Sequence, residues 1–166
     1  MKKRAIGLLV LIMAVASFGS MNFAFAADES NAAIQAAADQ FYAALNTLFT
    51  GDAGPMEALW SHADDVTYMG PDGIFQAGWA EVQADWKKQA EKKLGGKVTP
   101  EKMRITSAEN MGITSNYEVG ENIDANGNPV KVSIRATNVF RNEDGQWKMV
   151  GHHTDLLPYL VEETKS

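Results

Sequence analysis

Near Gly96 the spacing of apolar residues changes period, and that change limits what this 166-residue chain can fold into. Before it, apolar positions recur at three and four. Ile34, Ala37, Ala38, Phe41, Leu45 and Leu48 share one face of a helix predicted from Ser30 to Phe49, with Ser30 or Asn31 as its cap. Pro55 suits the first turn of a short second helix through Met56, Leu59 and Trp60. A third helix fits Gly78 to Leu94, where Trp79, Val82, Trp86, Ala90 and Leu94 align and Gly95-Gly96 ends the run. Beyond it the period is two, and strands fit Val98 to Ala108, Gly112 to Glu121, Pro129 to Arg141 and Gln146 to Asp155. Turn chemistry lies between them at Asn110, Asp124 to Gly127 and Asn142 to Gly145. A further short strand, Val66 to Met69, precedes the turn Gly70-Pro71-Asp72-Gly73. Helices first and hairpins afterwards predict an α+β fold: an antiparallel meander whose apolar face is covered by the helices, enclosing a pocket if it curves.

The opening residues predict export. Lys2, Lys3 and Arg4 precede an uncharged apolar run from Ala5 to Phe18, and Ala24-Phe25-Ala26 supplies small residues where a signal peptidase reads them. The run of about 14 residues is short of the ~20 that span a bilayer. Residues 1–26 are therefore expected to be a signal peptide cleaved after Ala26, leaving 27–166 as one periplasmic or secreted domain with no membrane attachment. The leader holds three of the 15 basic residues and none of the 21 acidic ones, so its removal takes the net charge from −6 to −9. A surface that acidic repels phosphate backbones, which excludes nucleic acid as a partner. With no cysteine, disulfides, thiol catalysis and thiolate metal sites are excluded as well.

Four strings, in this order, carry a resemblance: Phe41 to Asn46; Ala58-Leu59-Trp60 followed by Asp64 to Thr67; Gly70 to Gly73; and Asp144 to Val150 before His152-His153. Together they resemble the nuclear transport factor 2-like superfamily, in its SnoaL-like and ketosteroid-isomerase-like branches. The resemblance implies a cone-shaped curved sheet wrapped around the N-terminal helices, a ligand pocket at its wide end and a homodimer formed through the sheet. It places Trp60, Tyr68, Trp86, Arg135, Thr137, His152 and Thr154 on the pocket side, and a one-residue slip of the last strand would turn His153 and Asp155 inward instead. Ketosteroid isomerases need a carboxylate base and two acidic hydrogen-bond donors. The resemblance puts Phe41, Gly70 and Thr137 at those positions, with Tyr42 about 100° around the helix from the tyrosine position, so that activity is not expected.

These readings imply an exported domain that binds a small, partly apolar ligand; Arg135 either receives an anionic group of that ligand or lies at the sheet surface, paired with an acid such as Glu118. The alternatives are an isomerase, cyclase or hydrolase using His152 or His153, with Asp155 as orienter, and a dimeric protein-interaction module. Adjacent strand histidines point to opposite faces, and the cluster of His62 with Asp64 and Asp65 reads more simply as a solvated turn. No metal or other cofactor is expected.

Overall fold

The period-two half of the chain forms four long strands, β3 (Lys97–Ala108), β4 (Met111–Ile123), β5 (Pro129–Glu143) and β6 (Gln146–Leu156), each pairing antiparallel with the next. The computed structural model describes residues 16–156, with side chains from Glu29 onward. The charged start of the leader and most of its apolar run lie outside the described residues. Two short strands, β1 (Thr67–Met69) and β2 (Phe75–Ala77), complete a curved open sheet in the order β2-β1-β6-β5-β4-β3. The meander expected from sequence is thus extended: β1 runs parallel to β6, with Tyr68 opposite His152, and β2 folds back along β1 through the Gly70–Gly73 turn.

Three helices cover one face: α1 (Ala16–Leu48), α2 (Gly54–Leu59) and α3 (Trp79–Glu91). Ile34, Ala38, Phe41 and Leu48, spaced as an amphipathic stripe requires, are buried against the sheet. The stripe approaches β4 so closely that a Cβ at Gly112 would collide with the Ile34 side chain. The expected helix start at Ser30 or Asn31 is not observed, because α1 passes through both residues without a break. Asn31 instead accepts a hydrogen bond from Ser107 Oγ at 2.9 Å, tying α1 to β3. Helix α3 ends earlier than its apolar spacing suggested, since Lys93 adopts a left-handed φ of 45°. Among the described residues no helix is both long and apolar enough to cross a membrane.

Strand phase decides which side chains meet the helices. On β4 the even residues Thr114, Asn116 and Glu118 are buried, and on β5 so are Ile134, Ala136, Asn138 and Phe140. On β6 an extra residue, Val150, is accommodated where Val139 pairs with Gly151 and Phe140 with Met149. This bulge resets the phase so that Met149, His152 and Thr154 all face inward.

Candidate ligand pocket

Between the C-terminal part of α1, α3 and the inner face of the sheet lies a cavity of about 230 Å³. Leu45 and Leu48 line it from α1, Trp86 and Gln89 from α3, and Ile134 from β5. Tyr68 of β1 and His152 of β6 stack face to face, with ring centroids 5.7 Å apart and planes 3° from parallel, and Trp86 stands 4.5 Å from Tyr68. Two carboxylates line it, the exposed Asp72 from the turn after β1 and Glu118 from β4, which is only 4% exposed.

A string of buried hydrogen bonds fixes the polar side of the cavity. Tyr42 donates its hydroxyl proton to Glu118 Oε1 at 3.1 Å and accepts from Asn116 Nδ2 at 2.7 Å and Asn138 Nδ2 at 3.2 Å. Asn138 Nδ2 also donates to Thr114 Oγ1 at 3.0 Å, so its donors are spent and its Oδ1 must accept. The partner is His152 Nδ1–H, at 2.6 Å. In neutral His152 the other nitrogen, Nε2, is then unprotonated, and it lies 3.8 Å from Glu118 Oε1. The indole N–H of Trp86 and Oδ1 of Asn116 are buried with no hydrogen-bond partner among the described residues.

Burial governs the electrostatics. Desolvation pushes Glu118 up to about 7, and the Tyr42 hydrogen bond offsets only part of that rise. His152 is pushed down to about 3, chiefly by desolvation and further by His153, so it stays neutral across the physiological range. Burial also raises the phenols of Tyr42 and Tyr68; Glu118 adds to both, and Asp85 and Asp72 add to Tyr68. Glu118 is therefore positioned to exchange a proton near neutral pH, whereas His152 acts as a fixed neutral acceptor and aromatic surface.

Of the residues expected in the pocket, Tyr68, Trp86, His152 and Thr154 stand in the cavity wall. Thr154 Oγ1 donates to the Met69 carbonyl at 3.1 Å. Trp60 is buried 6.0 Å from Trp86 but does not line the cavity. Arg135 and Thr137 are corrections. They project from the opposite face of β5, where Arg135 is exposed and Thr137 half-buried, because Ile134 and Asn138 occupy the inward row. His153 shares the outer row and hydrogen-bonds Thr67 Oγ1 at 2.9 Å, and Asp155 is exposed, so neither reaches the cavity.

Glu118, Tyr42, Asn116 and Asn138 were not expected as site residues. The resemblance placed the functional positions one residue early on both α1 and β5, at Phe41 and Thr137. Phe41 packs against His152 at 4.8 Å, while the next residue, Tyr42, delivers the hydroxyl. Gly70 brings no carboxylate, and a Cβ there would meet the Tyr68 hydroxyl at 2.8 Å and Asp72 Oδ1 at 2.9 Å. The available signal was the alternation of Thr114, Asn116 and Glu118, three polar residues on one side of a strand flanked by apolar Ile113 and Tyr117.

Comparison with known proteins agrees with this architecture. The family described as SnoaL-like domain matches residues 34–157. Among solved structures, a proposed dehydratase of the NTF2-like family from Streptomyces avermitilis is similar at a TM-score of 0.69 and 21% identity, over 78% of this chain and 97% of that one. A proposed calcium/calmodulin-dependent protein kinase type II association domain from Thiobacillus denitrificans is similar at a TM-score of 0.62 and 29% identity, over 74% of this chain and 94% of that one. An uncharacterised protein with a cystatin-like fold from Caulobacter vibrioides is similar at 0.62 and 13% identity, over 81% and 95%. No match is found among curated proteins.

Proposed function

Because this chain belongs to the SnoaL-like domain family, we propose that it is an exported binding domain that holds one small, partly apolar molecule between its helices and its sheet. The carrying observation is the cavity of about 230 Å³, whose apolar and aromatic wall converges on a buried carboxylate, Glu118. An apolar cavity of about 150 Å³ accepts benzene, so this one suits a single-ring molecule with a short substituent. Arg135 is exposed on the opposite face of β5, so it does not supply a buried cation for an anionic ligand. Export rests on Lys2-Lys3-Arg4, the apolar run and Ala24-Phe25-Ala26, with cleavage after Ala26 and a periplasmic or secreted destination.

Native mass spectrometry of the protein from its own host tests this reading. A reproducible small-molecule adduct is expected, absent from Ile134→Trp, which fills the cavity from β5 without adding charge. A protein that carries no adduct and binds no single-ring compound would overturn it. An enzyme using a pocket histidine has less support, since His152 is held neutral and His153 lies outside the cavity.

A second reading, self-association through the sheet, rests on a separate observation. Ile113 and Tyr117 stand 40% and 37% exposed on the outer face of β4, where a homodimer would cover them. The similarity to the association domain from Thiobacillus denitrificans supports it. Sedimentation should show a dimer that persists on dilution.

A further inference from the structure

Glu118 is a carboxylate placed where a carboxylate is costly. It is 4% exposed, and its hydrogen-bonded partner is the neutral hydroxyl of Tyr42. Among the described residues, the titratable and charged groups packed around it offer no buried cation. Tyr42 comes from α1, Tyr68 from β1, Asp72 from the turn after β1, Asp85 from α3 and His152 from β6. Lys92, just past α3, lies exposed at the cavity rim. The remaining charge that bears on the cavity is acidic: Asp72 and Asp85 both act on the Tyr68 phenol.

The aromatic residues supply the other half of a cation site. Tyr68, Trp86 and His152 pack against one another, with ring centroids 4.5 Å apart for Tyr68 and Trp86 and 5.7 Å for Tyr68 and His152, and this aromatic cluster lines the same cavity as Glu118. Ring faces carry negative quadrupole density and attract ammonium groups, most strongly where water is excluded. Resting on the small-molecule reading above, we propose that the ligand is a compact organic amine, bound as its ammonium ion, with N–H donated to Glu118, positive charge against Tyr68 and Trp86, and an apolar body against Leu45 and Ile134. The bound ammonium supplies the counter-charge that the described residues do not. Uptake is coupled to a proton, because burial pushes Glu118 up to about 7 and the carboxyl must ionise to pair with the amine.

Isothermal titration calorimetry tests this with benzylamine, benzyl alcohol and benzoate, using protein expressed with its leader so that the host processes it. At pH 8 benzylamine should bind at least about tenfold more tightly than benzyl alcohol, and benzoate more weakly than either. Benzylamine affinity should rise about tenfold from pH 6 to pH 8, and its binding at pH 7 should release about half a proton to buffer, as read from buffers of different ionisation enthalpy. Glu118→Gln, which keeps an acceptor for Tyr42, should bind benzylamine and benzyl alcohol alike with no pH slope. Glu118→Asp, which keeps the charge at shorter reach, should retain the preference at lower affinity. Equal binding of amine and alcohol by the wild type, or a preference that survives Glu118→Gln, would overturn the amine assignment and leave the pocket standing. Failure of all three compounds to bind would overturn both.

Discussion

Along β4, and in part along β5 and β6, the two faces of the sheet invert the usual arrangement. On the inner face, under the helices, Thr114, Asn116, Glu118, Asn138, His152 and Thr154 are buried polar residues, while on the outer face Ile113 and Tyr117 are exposed apolar ones. Simple partitioning would place them the other way round. An inner polar row is stable only when its groups satisfy one another, and most of these do so through Tyr42 and Asn138. The face that turns polar groups toward the cavity is therefore the one that costs stability, and the outer face, with little to satisfy, is free to serve the proposed self-association.

Adjacent residues on β5 test that contrast most sharply. Asn138 is wholly buried and bonds Tyr42, Thr114 and His152, so Asn138→Ala should lower stability by about 2–4 kcal/mol in urea unfolding. Its neighbour Thr137 faces outward, and Thr137→Ala should stay within about 0.5 kcal/mol. Similar losses at both positions would break the distinction between the faces.

Next in size is the pH dependence of the inner face, where two groups pull in opposite directions. Glu118 has its folded pKa raised from 4.5 to about 7, so its contribution is full below 4.5 and is lost as pH rises through 7, by about 3 kcal/mol in all. His152 has its folded pKa lowered from 6.5 to about 3, so its contribution is full above 6.5 and is lost as pH falls toward 3. Between 4.5 and 6.5 the two slopes oppose, and the wild type should be nearly flat. Glu118→Gln should leave only the histidine slope, with stability rising up to pH 6.5 and then level. His152→Asn should unmask the carboxylate slope, falling from 4.5 to 7 and offset only in part by the half-buried His153, whose imidazole is also held below its ordinary value by burial. Denaturation at a series of pH values reads both, and parallel curves for the two variants would refute the assignment.

The outer face yields a smaller and different effect. If the proposed self-association runs through this face, Ile113→Lys with Tyr117→Lys should shift sedimentation toward a monomer, raising the dissociation constant by at least about tenfold with unfolding little changed. A dimer indifferent to both charges would place self-association elsewhere.

Much of the fold was legible because it depends on period. The stripe from Ile34 to Leu48 and the turn residues between hairpins mark their elements whatever the tertiary context. The site was less legible, for two physical reasons. On β4 apolar Ile113, Tyr117 and Val119 alternate with Thr114, Asn116 and Glu118, and period alone favours the apolar row as the buried one. Only the closure of the sheet over α1 reverses that reading, by bringing Tyr42 and Asn138 within hydrogen-bonding reach. On β5 the row of Val132, Ile134, Ala136 and Phe140 did mark the inward face correctly by period alone, and the resemblance displaced it by one residue to Arg135 and Thr137. Parallel pairing of β1 with β6 joins segments more than 80 residues apart, which no local pattern encodes.

The smallest expected effect is the most economical check on that displacement. Had Arg135 faced the cavity, reversing its charge would abolish binding, because a buried guanidinium and a buried carboxylate favour opposite ligands. Facing solvent, it is separated from the cavity by the sheet and screened by water, where a charge change is felt weakly. Arg135→Glu should therefore leave benzylamine affinity within about twofold and stability within about 0.5 kcal/mol. A large loss of binding would restore Arg135 to the pocket, and with it an inverted phase for all of β5. The inward hydrogen bonds of Asn138 could not survive that inversion, so binding to Arg135→Glu and unfolding of Asn138→Ala must agree on which face of the strand is the inner one.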